Sequence, residues 1–201
     1  FASPEALEFS DRFMEKFSYY AISASCALAQ ERGAYPTYKG SKWDRGIFPL
    51  DTLDVLEKER GQKIEVNRTK TMDWDALKQK VAQFGMRNSN VMAIAPTATI
   101  ATIAGCYPCI EPIYKNMYVK SNVSGEFTIM NSYLVEDLKK RNMWNEEMMQ
   151  QIKFADGDCS KVVSIPDDLK EKYRTAFELD AEWMVDIAAV RGKWLDQSQS
   201  F

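Results

Sequence analysis

Histidine is absent from all 201 residues of the chain. Because histidine is the usual general base of nucleophilic triads and a common metal ligand, its absence excludes His-based triads and imidazole metal sites. Cysteine is scarce too, and its four residues are too scattered for the disulfide framework of a small secreted protein. We therefore expect a reducing, cytoplasmic environment for this chain.

Excess positive charge is also missing, since 26 Lys and Arg residues stand against 29 Asp and Glu residues and the net charge is -3. A nucleic-acid backbone needs clustered Lys and Arg, so the composition predicts no nucleic-acid partner, although a nucleotide can still bind locally. The first residues lack an initiator Met and the basic and apolar regions of a secretory signal. We expect the chain to be a piece of a longer protein.

Charged side chains are lacking throughout residues 91–110, a run about long enough to span a bilayer. Pro96, Gly105 and Pro108 interrupt the run, and the backbone groups that they free would be costly in lipid. The run therefore predicts a strand, a turn and a short helix, with no membrane partner. The hydrophobic content of 45% is enough for one sizeable core.

A long helix is predicted from the cap residue Ser3 and the first-turn Pro4 to Gly33. Its apolar positions recur at spacings of three and four residues and predict one buried stripe. The stripe comprises Phe9, Phe13, Phe17, Ala21, Ala24 and Leu28. Residues 34–49 are rich in turn formers and aromatic residues, which predicts a loop packed on the surface.

The remaining chain predicts a helix-rich α/β fold. Residues 90–95 are short, apolar and stopped by Pro96, which is typical of a buried strand that enters a loop. Residues 116–120 predict a second strand, and the polar residues 64–71 predict either a linker or an exposed excursion. Helices are predicted over residues 51–60, 73–84, 128–141, 146–154, 166–179 and 181–195.

The turn after the first of these strands is the candidate binding site. It consists of Pro96, Thr97, Ala98, Thr99 and Ile100. Amides at the start of a helix have no internal partner, the helix dipole favours an anion, and threonine hydroxyls add donors, so the turn fits a phosphate held by neutral groups. A simple helix cap by Thr97 or Thr99 explains the same pattern.

Several longer stretches of sequence surround this turn. The central stretch is residues 87–100, which read RNSNVMAIAPTATI. The others are SYYA at 18–21, ERGAY at 31–35, GS at 40–41, DTL at 51–53, IEP at 110–112, SGEF at 124–127 and DQSQS at 196–200. Together these stretches resemble the large subunit of class I ribonucleotide reductases, and the resemblance runs through nearly the whole chain in the family's order.

The resemblance implies that residues 1–201 are the carboxy-proximal, incomplete portion of a ten-stranded α/β barrel domain. The implied enzyme converts ribonucleoside diphosphates to 2′-deoxyribonucleoside diphosphates for DNA synthesis by radical chemistry. In that family the loop binds the substrate diphosphate through amides and hydroxyls, a role that falls here on Pro96, Thr97, Ala98, Thr99 and Ile100.

The family's radical chemistry uses a cysteine in an Asn-x-Cys-x-Glu motif, and this chain contains no such motif. We therefore expect no catalytic residue, no bound cofactor and no turnover in the chain alone. The resemblance implies a radical-bearing small subunit, a thioredoxin-type reductant, the remainder of the large subunit and a large-subunit homodimer. Two alternatives remain, namely a segment of a cobalamin-dependent reductase and a non-catalytic phosphate-binding or protein-binding remnant.

Several polar residues outside the loop have competing interpretations. Cys106 and Cys109 fit core packing, a redox dithiol or half of a zinc site. The adjacent Tyr19 and Tyr20 are expected to pack within the long helix. Glu111 is expected to accept hydrogen bonds from backbone amides near the loop, and the cluster at residues 136–140 is expected to be a solvated face.

Overall fold

A computed structural model describes residues 1–200, apart from the side chain of Asn122. The chain forms two compact units. Unit 1 comprises residues 1–110 and 181–200, and unit 2 comprises residues 111–180. None of the helices within residues 1–200 combines the length and the apolar character that a membrane crossing requires.

Helix α1, Pro4–Arg32, is the longest element of unit 1. The side chain of Ser3 accepts a hydrogen bond from the amide of Ala6, Pro4 occupies the first turn, and Gly33 ends the helix with a φ of 79°. A positive φ costs glycine little because it has no Cβ. The predicted start and end of the helix are confirmed.

The predicted buried stripe on α1 is wrong. Phe9, Phe13 and Phe17 are 69%, 44% and 55% exposed, and their rings stack along the helix surface with centroid distances of 5.7 and 5.0 Å. The buried face is displaced by about one residue and includes the charged side chains of Asp11 and Glu15. These carboxylates are buried because hydrogen-bond donors surround them, a condition that apolar periodicity does not reveal.

The next elements of unit 1 follow their predicted caps. A 3-10 turn, Pro49–Asp51, leads into α2, Thr52–Arg60, and α3, Trp74–Phe84, begins after Asp73, whose side chain caps it. Helices α2 and α3 are therefore confirmed, and residues 64–71 form no helix or strand. The prediction of a surface loop over residues 34–49 is wrong for Trp43 and Phe48, which are buried and pack edge to face.

Residues 90–95 do not form a buried strand. The segment is extended, but its one β-bridge joins Ile94 to Gln199 in parallel, and Ala93 and Ala95 are exposed. A strand needs hydrogen-bonding neighbours on its edges, and within residues 1–200 only residues 198–200 pair with this segment. Helix α4, Ala98–Ala104, follows the loop.

Unit 1 is completed by a helix near the end of the chain and by a shared core. Helix α8, Ala181–Gly192, ends three residues before the predicted limit and packs against α1, as α3 also does. The buried core combines side chains from α1, α3, the loop at 34–49 and the residues after α8. They are Met14, Ile22, Cys26, Trp43, Phe48, Trp74, Leu77, Val81, Met86, Trp194 and Leu195.

Unit 2 begins with an antiparallel hairpin of β1, Met117–Asn122, and β2, Gly125–Met130. Met117 pairs with Met130 and Asn122 pairs with Gly125, which leaves a two-residue turn. Strand β1 confirms the prediction at residues 116–120. The helix predicted over residues 128–141 is wrong for its first turn, because strand-forming residues up to Met130 pair with β1 and the helix starts only at Ser132.

The helices of unit 2 follow the hairpin. They are α5, Ser132–Lys140; α6, Glu146–Phe154; and α7, Asp167–Lys172. Two 3-10 turns, Cys159–Lys161 and Ala176–Glu178, complete the unit. The helix predicted over residues 166–179 is wrong beyond Lys172, because Thr175 instead caps the second 3-10 turn through Glu178.

The core of unit 2 is apolar, with one buried amide pair at its edge. Asn131 donates from its side chain to that of Asn116 at 2.9 Å, and Asn116 donates to the carbonyl of Tyr173 at 2.8 Å. The buried apolar side chains come from α5, α6, α7 and the connections between them. They are Leu134, Leu138, Met148, Ile152, Cys159, Val162, Ile165, Leu169 and Tyr173.

Candidate functional site

The segment that leads to the loop at 96–100 is docked on the core of unit 1. Ser25, on the buried face of α1, donates to the side chain of Asn88 at 3.0 Å and accepts from its amide at 2.9 Å. The indole of Trp43 donates to the carbonyl of Ser89 at 2.8 Å. These contacts fix the backbone several residues before the loop.

The loop itself is closed by the amide of Cys109. This amide donates to the carbonyl of Pro96 and to the hydroxyl of Thr97, each at 3.0 Å. Thr97 and Cys109 both have left-handed backbones, with φ of 55° and 56°. A left-handed backbone is unfavourable in free energy for any residue that has a β-carbon. The hydrogen bonds from the Cys109 amide offset part of this cost.

The start of α4 leaves amide groups open. The first intrahelical bond runs from the amide of Ala101 to the carbonyl of Thr97 at 2.8 Å. The amides of Ala98, Thr99 and Ile100 precede it, so they have no acceptor within the helix, and all three residues are exposed. An anion at this position would meet three neutral donors and the positive end of the helix dipole.

Thr97 occupies the cap position of α4, but its side chain makes no capping hydrogen bond. Its hydroxyl oxygen accepts from Cys109 instead, which leaves the hydroxyl hydrogen able to donate elsewhere. The helix-cap interpretation is therefore wrong for the Thr97 side chain. Ala98 is exposed and small, so a bulky ligand group can approach the backbone there.

The two cysteines of the Cys106–Cys109 pair differ in their exposure to solvent. Cys106 is exposed and Cys109 is half-buried, so core packing is wrong for Cys106. Residues 1–200 contain no group of three or more Cys, Asp or Glu side chains suited to a metal ion, so the zinc interpretation finds no further ligands there. Cys109 contributes to the loop through its backbone amide, and the identity of the side chain gives no indication of that role.

A third cysteine has a different environment. Cys159 is buried in unit 2, and burial together with the nearby Glu178 and Asp158 raises the pKa of its thiol to about 12. A thiol with so high a pKa stays protonated and is a poor nucleophile at neutral pH. Cys159 therefore serves as a core side chain.

Glu111 and the adjacent Tyr19 and Tyr20 match their predicted roles only in part. The Oε1 atom of Glu111 is buried and has no hydrogen-bond partner within residues 1–200, so the expected contact to backbone amides is wrong for that oxygen. Tyr19 packs edge to face on Trp74 with a centroid distance of 5.5 Å, which confirms its packing role. Tyr20 is 62% exposed and does not share that role.

The expectation of a solvated face over residues 136–140 is wrong for Asp137. Its carboxylate accepts hydrogen bonds from Lys172 at 2.5 Å, from the hydroxyl of Tyr173 at 2.7 Å and from Lys140 at 3.1 Å. These bonds, with that from Lys172 the largest cause, hold the pKa of Asp137 well below its usual range. Asp137 thus links α5 to α7 and has a structural role.

The buried carboxylates of α1 were missed by apolar periodicity. Glu15 accepts hydrogen bonds from the amide and hydroxyl of Thr71, both at 2.6 Å, from the indole of Trp74 at 3.1 Å and from Arg12 at 2.9 Å. Burial alone would raise the pKa of Glu15, but the hydrogen bonds from Thr71, from Trp74 and from the amide of Met72 outweigh burial and lower it. Every partner belongs to unit 1, so Glu15 anchors the linker to α1.

Unit 1 also contains a cavity of about 610 Å³. Its lining includes Ser41, Trp43, Asn90 and Asp196, and none of residues 96–100 lines it. Most residues of the cavity wall are polar or exposed, with core side chains such as Trp43 among them. The loop remains the candidate site because the first three amides of α4 have no acceptor within the helix and the hydroxyl of Thr97 can still donate.

Comparisons with known proteins agree on one family. The family model described as "Ribonucleotide reductase, barrel domain" matches residues 1–201. A protein of Chlamydia trachomatis named ribonucleoside-diphosphate reductase subunit alpha is 49% identical over 201 residues, which are all of this chain and 19% of that protein. Large subunits with the corresponding name from Danio rerio and Schizosaccharomyces pombe are 41% and 38% identical over 200 residues.

The chain therefore spans about a fifth to a quarter of the length of these relatives. Its helix-rich structure with a small sheet is consistent with a segment of an α/β barrel domain. The expected division, in which residues 1–201 are the carboxy-proximal part of that domain, stays a prediction. The match over the whole chain shows that it belongs to the ribonucleotide reductase barrel-domain family.

Proposed function

We propose that this chain forms part of the large subunit of a ribonucleoside-diphosphate reductase. The observation that carries the proposal is the family match over all 201 residues, together with relatives that bear this name. The reaction replaces the ribose 2′-hydroxyl with hydrogen and releases water. The two electrons and two protons that it needs come from a dithiol, which becomes a disulfide.

Within that enzyme, the loop of Pro96, Thr97, Ala98, Thr99 and Ile100 binds the substrate diphosphate. Three amides at the start of α4 that have no acceptor within the helix support this role, as does the hydroxyl hydrogen of Thr97, since phosphate oxygens accept such hydrogen bonds. No lysine or arginine is needed within the loop. The amide of Cys109 closes the loop through the carbonyl of Pro96 and the hydroxyl of Thr97.

The rest of the enzyme supplies the chemistry. The chain has no Asn-x-Cys-x-Glu motif, so the radical-bearing cysteine belongs to the remainder of the large subunit. The proposed assembly is a cytoplasmic large-subunit homodimer that receives its radical from a small subunit and its electrons from a thioredoxin-type reductant. The four free thiols of this chain fit a reducing compartment.

Complementation tests the activity. Mixing this chain with the remainder of a related large subunit and a small subunit should restore reduction of ribonucleoside diphosphates, whereas each component alone should be inactive. The product 2′-deoxyribonucleoside diphosphate is measured by chromatography. Activity that depends on added adenosylcobalamin would assign the chain to another class of reductase, and lasting inactivity would favour a phosphate-binding module.

An acidic substitution tests the loop. Ala98→Glu should weaken binding of a ribonucleoside diphosphate to the reconstituted enzyme by about 100-fold or more, because a carboxylate would stand where the diphosphate approaches. Titration calorimetry measures the affinity. The matched control is Ala104→Glu, which places the same side chain on an exposed residue at the other end of α4. Unchanged affinity in Ala98→Glu would overturn the assignment of the loop.

A further inference from the structure

The last described residues of the chain lie beside the segment that leads into the loop. The carboxylate of Asp196 accepts hydrogen bonds from the amides of Val91 and Met92, each at 2.8 Å. Each carboxylate oxygen serves one amide, so a single charged side chain holds two successive peptide groups. Hydrogen bonds to an ionised acceptor are roughly twice as strong as bonds between neutral groups.

Backbone pairing continues this contact towards the loop. The amide of Ile94 donates to the carbonyl of Ser198 at 3.2 Å, and the amide of Ser200 donates to the carbonyl of Ile94 at 3.0 Å. Only one residue separates Ile94 from Pro96, and proline has no amide with which to continue the ladder. The course of the backbone into the loop is therefore set by residues 196–200.

Asp196 is itself held on a rigid base. The preceding Trp194 is fully buried, and its indole donates to Asp11 on α1 at 2.6 Å. Lys193 donates to the other oxygen of Asp11 at 2.8 Å, and Gln199 donates to the carbonyl of Ala188 on α8 at 2.7 Å. Residues on both sides of Asp196 are thus fastened to helices of unit 1.

We propose that Asp196 is a positioning residue for the diphosphate loop. Its carboxylate fixes the amides of Val91 and Met92 and so holds the segment that leads into the loop. The inference rests on the proposed function of residues 96–100 and adds a residue that lies about a hundred positions further along the chain. Asp196 acts through the backbone and has no contact of its own with the substrate.

Removing this carboxylate should affect binding more than chemistry. Without it, residues 91 and 92 lose both acceptors and the loop samples positions in which its amides no longer converge. Substrate then binds only to the fraction of enzyme whose loop is correctly placed, which raises KM. Because the reacting 2′-carbon lies on the ribose, several bonds away from the diphosphate, kcat should change little once substrate is bound.

The test uses the reconstituted enzyme with Asp196→Ala and Asp196→Asn. For Asp196→Ala we expect KM for the ribonucleoside diphosphate to rise about 10- to 100-fold, with kcat within about threefold of the parent. Asp196→Asn keeps one acceptor oxygen and should give an intermediate rise. The matched control is Asp186→Ala, which removes an exposed carboxylate from α8 and should leave both constants unchanged.

Amide hydrogen exchange supplies a readout that needs no substrate. The amides of Val91 and Met92 should exchange faster in Asp196→Asn than in the parent chain, whereas the amides of α3 should be unaffected. This variant is nearly isosteric, so it tests the idea even if Asp196→Ala does not fold. Unchanged KM in a folded Asp196→Asn whose two amides exchange faster would overturn the positioning role.

Failure of this inference can be told apart from failure of the proposed function. If Ala98→Glu leaves nucleotide affinity unchanged, the loop does not bind the diphosphate and the role of Asp196 falls with it. If Ala98→Glu abolishes binding while both Asp196 variants keep the parent KM, the loop assignment stands and only the positioning role is wrong.

Discussion

Two polar clusters of unit 1 differ in how their hydrogen bonds are satisfied. Glu15 on α1 is fully buried, and hydroxyl, amide, indole and guanidinium donors of the same unit surround its carboxylate. Ala98, Thr99 and Ile100 at the start of α4 are exposed residues, and their amides have no acceptor within their helix. One cluster is complete within the chain, and the other is open to an outside acceptor.

This difference implies that the Glu15 cluster contributes to stability and that the amides of α4 contribute to binding. A buried charge is tolerated only where donors replace its lost water, so the Glu15 cluster must stay intact for the chain to fold. Open amides at a helix start remain hydrated without a ligand and cost little free energy, so they can be reserved for an anion. Substitutions in the first cluster should therefore change stability, and substitutions in the second should change affinity.

Glu15→Ala should cause the largest loss of stability. The change leaves the donors of Thr71, Trp74 and Arg12 without their shared acceptor, and breaking such a buried network by removing one partner costs about 3 to 5 kcal/mol. Urea denaturation of the chain measures the free energy of unfolding. Glu8→Ala, at an exposed position of the same helix, should stay within about 0.5 kcal/mol of the parent.

A smaller loss for Glu15→Ala, similar to that for Glu8→Ala, would contradict the comparison. It would mean that water replaces the carboxylate at little cost and that the cluster is not closed. The near-isosteric Glu15→Gln keeps the side-chain volume and separates loss of charge from loss of packing. We expect its effect to lie between those of the other two variants.

The pH dependence of stability offers a second test of the Glu15 cluster. The pKa of Glu15 lies below its ordinary value of 4.5 in the folded state. Its contribution to stability is therefore fully present above about pH 4.5 and is lost as the pH falls through the lowered pKa. Unfolding followed by tryptophan fluorescence at successive pH values should show this decline in the parent.

The matched variant for this measurement is Glu15→Gln, which cannot titrate at position 15. Its free energy of unfolding should decline less steeply below about pH 4.5 than that of the parent, because other carboxylates still titrate. Parallel curves for the two proteins would show that Glu15 has no pKa difference between the folded and unfolded states.

The sequence predicted the ends of α1, α2 and α3 better than it predicted the buried face of α1. Ser3, Gly33 and Asp73 act through local hydrogen bonds or local backbone conformation, so the neighbouring residues suffice to predict them. The face of α1 depends on donors from residues 71–74 and 193–194, which the helix pattern does not contain. The same limit explains β2, where pairing with β1 determines the conformation of residues 125–130.

The candidate site, too, was predictable in its local features and not in its long-range contacts. Its position at residues 96–100 follows from local pattern and from resemblance, and α4 does begin at Ala98. The closing amide of Cys109 and the carboxylate of Asp196 were not predicted, because a backbone amide leaves no mark in the sequence and Asp196 is far away along the chain. Contacts that depend on tertiary structure are not specified by the local sequence on either side of them.

The exposed rings of Phe9, Phe13 and Phe17 on α1, here called the aromatic ladder, extend the comparison to apolar groups. We expect substitutions in them to have the smallest effect on stability. Phe9 is 69% exposed, whereas Met14 on the same helix is 4% exposed. Phe9→Ala should therefore change the free energy of unfolding by less than about 0.5 kcal/mol, while Met14→Ala should cost about 2 to 4 kcal/mol because it leaves a cavity. Urea denaturation at several protein concentrations distinguishes the two sites. A loss for Phe9→Ala that matches Met14→Ala and grows with protein concentration would mean that copies of the chain cover the ladder in solution, so that this surface, unlike the amides of α4, is not open.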